Sequence, residues 1–184
     1  NKIKIIHIAK KFQLINKFTA TSELSFCLLL SLLRKTINSF NDAKEGIWSR
    51  DKYVGSQLKD KTIGILGLGR LGKISARIAK GFQMNVIAHD IKKVKVSGVK
   101  NVTFNNLIKS SDIIFIHIHL NKSTENLINL KIFRKMKKKS ILINTSRGKI
   151  INEKDLLFAL KKKMIAGAGL DVISGEWLEK KKLS

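Results

Sequence analysis

Blocks of unbroken apolar residues alternate along the chain with blocks in which apolar residues recur at helical spacing. "TIGILGLG", "NVIAHD", "DIIFIHIHL", "SILINTS" and "IAGAGLDVI" read as strands. Between them "RLGKISARIAKGF" spaces Ile74, Ile78 and Phe82 four residues apart, and it reads as a helix. "FNNLIKSS", "STENLINLKIFRKM" and "NEKDLLFALKKK" read as further helices. Strands that do not alternate with polar residues are buried on both faces. When helices separate them, the pattern predicts α/β architecture, a doubly wound parallel sheet with helices on each side.

Upstream the pattern is less regular. "IKIIHI" (3–8) reads as a short strand, and a helix is expected from Thr21 or Ser22, either of them a good N-cap, to about Ala43. Leu24, Cys27, Leu28 and Leu32 form one face of it, and Leu29, Leu30 and Leu33 make the remainder apolar too. Such a helix is expected to be buried, within the fold or against another subunit, with Cys27 in the core. "GIWSRDKYVGSQLKD" reads as an irregular arm.

Composition narrows the class. A chain of 184 residues, 43% of them hydrophobic, suffices for one well-packed domain. Its single cysteine makes no internal disulfide, which suits a reducing, cytoplasmic setting. "FCLLLSLL" is too short for a membrane helix, which needs roughly 20 apolar residues. No secretory signal pattern opens the chain, which begins at Asn1 and is expected to lack its true N-terminus. The net charge of +24 raises the question of a polyanion partner. Lysine outweighs arginine, however, no aromatics interleave with the basic runs, and two of the clusters fall at helix ends, where they complement the helix dipole. Solvated lysine is the favoured reading, and nucleic acid is not an expected partner.

The turn "GLGRLG" (67–72) carries the chemistry. Gly67, Gly69 and Gly72 have the G-x-G-x-x-G spacing, with Arg70 and Leu71 between. The first glycine permits a tight turn, the second lets backbone approach a pyrophosphate, and the third packs helix on strand. The helix start then offers N–H groups to the phosphates. Glycine turns are common, but this one follows a strand, opens a helix and is succeeded by Asp90 at the end of the next strand. That is the interval of an acid that binds the adenosine ribose. An acid there disfavours a 2′-phosphate, so NAD is expected, although Lys92 and Lys93 leave NADP open.

From "GSQLKDKTIGILGLGRLGKISARIAKGFQMNVIAHD" through "SDIIFIHIHL", "NLIN", "ILINTSRGKI" and "IAGAGLDV", the chain resembles the cofactor domain of the D-isomer-specific 2-hydroxyacid dehydrogenases. That family includes phosphoglycerate dehydrogenases, D-lactate dehydrogenases and glyoxylate reductases. The resemblance begins near Thr19 and implies a Rossmann-type fold and hydride transfer between NAD and a 2-hydroxy or 2-keto acid. The family's N-T-x-R-G arginine falls on Arg147, which would hold the substrate carboxylate and carbonyl oxygen. A planar, always-charged fork suits that work. The family's catalytic glutamate falls on Glu176, where it would support a histidine that exchanges the substrate proton. Asp171 matches the acid near the nicotinamide carboxamide, and Thr145 lies in the segment lining the nicotinamide pocket. His117 and His119 are expected at the strand end near the cofactor, and His7 and His89 as structural residues. No pair of histidines has metal-ligand spacing.

Departures from the family pattern accompany the matches. Prolines of the family are replaced by His119 and Trp177, and helix-ending glycines are replaced within "KKKS" and "KKKM". A lysine forced into the left-handed cap conformation costs on the order of 1 kcal/mol. The family's catalytic histidine lies beyond the glutamate, and the chain ends at Ser184 without it. The expectation is therefore a chain in three parts. Residues 1–18 are a remnant of the substrate domain and hinge, 19–176 the NAD-binding domain, and 177–184 the start of the return to the substrate domain. Such a chain binds NAD but turns over substrate poorly or not at all. The alternative is a non-catalytic NAD-binding, redox-sensing module of the same fold. The resemblance also implies a homodimer through the long helix 22–43 and the arm that follows.

Overall fold

A computed structural model describes Ile15 and residues 17–175. The strand expected at 3–8, His7, Glu176 and Trp177 lie outside the described residues. Six parallel strands form one sheet: β1 Thr62–Leu66, β2 Asn85–His89, β3 Lys100–Asn101, β4 Ile113–Ile116, β5 Ile141–Asn144 and β6 Gly167–Leu170. Their spatial order is β3-β2-β1-β4-β5-β6. The order reverses between β1 and β4, and there the two halves of the sheet part at their carboxyl ends. In doubly wound sheets this point is the ligand crevice.

The helices are α1 Ala20–Arg34, α2 Thr36–Lys44, α3 Arg70–Gly81, α4 Phe104–Ser110, α5 Leu130–Phe133 and α6 Glu153–Lys161. They cover both faces of the sheet. Ile63, Ile65, Ile113, Phe115, Ile141 and Ile143 point into one core with Phe26 and Leu29 of α1 and Ala76 and Ala79 of α3. Leu66, Ile114, Ile116 and Leu142 point into the other with Leu107, Ile108, Phe133, Leu156 and Ala159. The unbroken apolar strands are thus the inner layer of a three-layer α/β fold.

Several elements differ from the sequence reading, each for a local reason. The helix expected over 22–43 is two helices, and its N-cap is Thr19 instead of Thr21 or Ser22. Lys35 adopts φ 53° between α1 and α2. The carbonyl of Leu33, which a continuing helix would use, instead accepts from the amide of Ser56 in the arm (3.2 Å). The inward face of α1 is Ser22, Ser25, Phe26 and Leu29. The face built on Leu24, Cys27 and Leu32 is exposed, so Cys27 is not a core residue.

The helix expected over "STENLINLKIFRKM" shrinks to Leu130–Phe133. Asparagine side chains take over the backbone before it: Asn121 Oδ1 accepts from the amides of Ser123 and Thr124, and Asn129 Oδ1 accepts from Lys131. The short edge strand β3 carries no apolar pattern and was not legible in the sequence. The run "KKKM" does place a lysine, Lys163, at φ 51°. The run "KKKS" places none, and closes instead with Ser140 donating to the carbonyl of Lys137.

Candidate functional site

The strand register sets His89, Leu66, Ile116, Asn144 and Leu170 in one line across the sheet. The next residue of each strand is therefore Asp90, Gly67, His117, Thr145 and Asp171, all on one carboxyl edge. Of the candidate site residues within the described chain, Asp90, Gly67, Thr145 and Asp171 lie on that edge, the remainder of the glycine turn follows Gly67 directly, and Arg147 lies two residues beyond Thr145.

The three glycines have distinct geometric reasons. Gly67 has φ +96°, and a β-carbon on it would lie 2.6 Å from the carbonyl oxygen of His117. A β-carbon on Gly72 would lie 2.0 Å from the carbonyl oxygen of Gly67, so close packing of α3 on the turn requires its absence. Gly69 differs: among the described residues no other part of the fold lies within 4 Å of its hypothetical β-carbon. Nothing among the described residues demands that glycine, and none of them fills the space beside it. Gly69 is also the N-cap of α3 and provides no side-chain cap, so the first amides of the helix face that space.

Asp90 reaches back to the same turn. Its Oδ2 accepts from the amide of Leu68 (2.7 Å) and its Oδ1 from the amide of Lys92 (2.8 Å). Each oxygen retains a second lone pair, enough for the two hydroxyls of a ribose. Arg70 donates through Nη1 to the carbonyls of Ile15 (3.2 Å) and Phe18 (2.6 Å), and thus holds the chain that enters α1. Leu71 accepts at its carbonyl from Ser22 Oγ (3.2 Å).

On the other side of the crevice, Asn144 organises the loop that bears Arg147. It is fully buried. Its Oδ1 accepts from the amide and hydroxyl of Ser146, and its Nδ2 donates to the carbonyl of Arg147 (3.0 Å). Arg147 is exposed, and Nη1 donates to the carbonyl of Ser146 (2.6 Å). Among the described residues it has no carboxylate partner. Thr145 is buried and shares a 2.8 Å hydrogen bond with Ser25 of α1. The amide of Asp171 donates to the carbonyl of Asn144 (3.0 Å), which leaves its carboxylate exposed on the edge. A β-carbon on Gly148 would lie 2.1 Å from the carbonyl carbon of Ile173. The segment that leads toward Glu176 therefore packs directly against Arg147's neighbour.

His117 stands at the switch point itself. Its Nε2 shares a 2.9 Å hydrogen bond with Ser75 of α3, and its buried Nδ1 has no partner among the described residues. Burial lowers its pKa to about 4, so the ring is neutral at ordinary pH. His89 bonds the carbonyl of Val102 through Nδ1 (3.0 Å), a structural contact. His119 is exposed beyond the end of β4. Asn144, Ser25 and Ser75 escaped the sequence reading, because single buried polar residues carry no spacing signal.

The order of the sheet, the open glycine turn and the acid closing β2 define a dinucleotide-binding α/β domain. The chain matches the family model described as "D-isomer specific 2-hydroxyacid dehydrogenase, NAD binding domain" over residues 26–184, and it belongs to that family. It is 39% identical over 168 residues to a glyoxylate reductase of Thermococcus litoralis, covering 85% of this chain and 51% of that one. It is 41% identical over 161 residues to a D-3-phosphoglycerate dehydrogenase of Bacillus subtilis, covering 85% of this chain and 31% of that one. Among solved structures, D-lactate dehydrogenase with NAD+ from Lactobacillus jensenii superposes with a TM-score of 0.80 at 32% identity, over 90% of this chain and 51% of that one. An acyclic imino acid reductase in complex with NADPH and D-Arg gives 0.82 at 38% identity, over 86% and 52%. The chain spans about half the length of the glyoxylate reductase it matches. NAD is the cofactor of this domain family, and the open turn, uncapped helix and Asp90 fit it.

Proposed function

We propose that the protein is an NAD-dependent oxidoreductase that interconverts a 2-hydroxy acid and its 2-keto acid. The observation that carries the reading is Arg147. Its guanidinium is exposed and without a carboxylate partner among the described residues, and its backbone carbonyl is held by buried Asn144 on the sheet edge shared with Gly67 and Asp90. Gly67, Gly69, Arg70, Leu71 and Gly72 cradle the pyrophosphate, and Asp90 takes the adenosine ribose. Thr145 and Asp171 flank the nicotinamide. When bound there, NAD supplies the hydride acceptor or donor. Arg147 pairs with the substrate carboxylate and fixes the C2 oxygen toward the crevice, where two parallel N–H bonds set orientation as well as affinity. Glu176, through a histidine it supports, completes the proton path.

We divide the chain accordingly, with 19–176 as the NAD-binding unit and 1–18 and 177–184 as the two crossings toward a substrate domain. The single cysteine agrees with a reducing, cytoplasmic setting. A second copy of the chain is the expected partner of the exposed apolar face on α1, α2 and the arm.

The test is NADH oxidation by the full-length protein with a panel of 2-keto acids. Loss of one partner of a buried charge pair costs about 2–5 kcal/mol. Arg147→Ala is accordingly expected to lower kcat/KM by roughly 100-fold or more while NAD affinity stays within about two-fold. NAD binding without turnover of any 2-keto acid by the unsubstituted protein would favour the non-catalytic module instead.

A further inference from the structure

The residue between the second and third glycines of the turn does more than face the cofactor space. Arg70 is the first residue of α3, and its Nη1 donates to two carbonyls of the chain entering α1, those of Ile15 and Phe18. Those carbonyls belong to one turn, closed by the amide of Phe18 donating to Ile15 (3.1 Å). Two further contacts tie the same helix start to the cofactor edge: Ser22 Oγ donates to the carbonyl of Leu71, and Ser25 bonds Thr145. The inventory of an arginine matters here. Guanidinium carries five N–H donors in a planar fork, and Nη1 has only two of them. Both serve the carbonyls, and among the described residues the edge formed by Nε and Nη2 has no partner, which leaves it for a bidentate phosphate contact next to Gly69.

We propose that Arg70 is a bridge that joins the pyrophosphate of a bound dinucleotide to the chain entering α1, so that cofactor binding and the turn between Ile15 and Phe18 at the start of α1 reinforce each other. This rests on the dinucleotide reading of the turn. Coupling of this kind is reciprocal. The clasp holds the guanidinium ready for phosphate, and phosphate fixes the clasp. A lysine keeps the charge but not the fork, so it serves one partner at a time.

Hydrogen exchange of the amides of Phe18, Ser22 and Glu23, measured with and without saturating NAD, tests the bridge, with NAD binding followed separately by calorimetry. Exchange there is expected to slow by about five-fold or more on NAD addition. Saturating adenosine, which lacks the pyrophosphate, is expected to leave it unchanged. Arg70→Lys, brought to saturation at the higher NAD concentration its weaker binding requires, is expected to show no slowing of those amides. NAD binding with unchanged exchange in the unsubstituted protein would overturn the bridge and leave the dinucleotide reading intact. Equal protection by adenosine, or in Arg70→Lys, would overturn it as well. Absence of NAD binding in calorimetry would overturn the dinucleotide reading itself, and the bridge with it. The unsubstituted protein with its two ligands decides the matter even if the variant fails to fold.

Discussion

Single residues at the carboxyl edge divide into those with a motif and those without. Arg147 and Asp90 are legible because neighbouring residues announce them, and the geometry gives each a position on the crevice. Asn144 is not legible in the same way, since a buried polar residue inside an apolar run looks like strand until its partners are known; for His117 the place at the strand end was legible, but its burial and its bond to Ser75 were not. His117 has a measurable consequence. Burial holds its pKa at about 4, against 6.5 in an unfolded chain. Above pH 6.5 neither state binds the proton, and the stability of the neutral ring is fully present. As the pH falls from 6.5 toward about 4 the unfolded state takes up a proton that the folded state refuses, and stability is lost. The loss is on the order of 2–3 kcal/mol for a shift of this size. Urea unfolding at pH 7 and pH 4.5 measures it. His117→Gln, which retains a partner for Ser75, is expected to show a correspondingly smaller loss between the two pH values. An equal loss in that variant would assign the pH dependence to other groups.

At the scale of elements, two kinds of helix terminus lead to opposite predictions. Helix α6 ends in a left-handed residue, Lys163, with its amide on the carbonyl of Leu160 (3.0 Å) and that of Met164 on Ala159 (2.8 Å). This is the paired-bond C-cap that usually takes glycine. Lys163→Gly is expected to raise stability by about 1 kcal/mol, visible as a higher Tm. At the start of α3 the argument runs through the glycines. Gly72→Ala sets a methyl against the Gly67 carbonyl and is expected to cost about 1–3 kcal/mol of stability together with NAD binding. Gly69→Ala meets no other side chain or neighbouring segment among the described residues, at an ordinary φ of −71°. It is expected to leave stability within about 0.5 kcal/mol and still weaken NAD about ten-fold or more, because the methyl stands where the pyrophosphate approaches. A Gly69→Ala protein with undiminished NAD affinity would move the cofactor away from the turn. The same elements show what the sequence could specify. Parallel strands β1, β2, β4 and β5 were readable because burial on both faces leaves an unbroken apolar run, and the half-buried edge strand β6 because its short run is apolar as well. The break at Lys35 was not, because it depends on Ser56 claiming a carbonyl from more than twenty positions away in the chain. Nor was the shortness of α5, where the side chains of Asn121 and Asn129 compete with a good helical period.

For the whole molecule, charge and apolar surface pull against each other. Only three ion pairs occur among the described residues, against a net charge of +24 in the chain, so most of the lysines stand in solvent and repel. Large apolar side chains nevertheless stay exposed on one stretch: Ile37 and Phe40 on α2, then Ile47, Trp48 and Val54 on the arm, with Trp48 at 89%. The arm is not loose. Lys52 and Tyr53 both bond the carboxylate of Asp42 and pin it along α2. Exposed apolar side chains in this number on α2 and the arm suit an interaction site, and the second copy proposed above would meet them through a two-fold contact of like with like. Two highly cationic subunits associate only where screening allows it, so the dimer is expected to tighten as salt rises from about 0.05 to 0.5 M, opposite to a contact held by ion pairs. Aromatic anchors in such a patch contribute about 2 kcal/mol or more each. Trp48→Ala and Phe40→Ala are therefore each expected to weaken self-association roughly 30-fold in sedimentation equilibrium, with the far-ultraviolet circular dichroism unchanged. A monomer at all salt concentrations in the unsubstituted protein would exclude the homodimer, and association that weakens with salt would place its energy in charge and not in this apolar face.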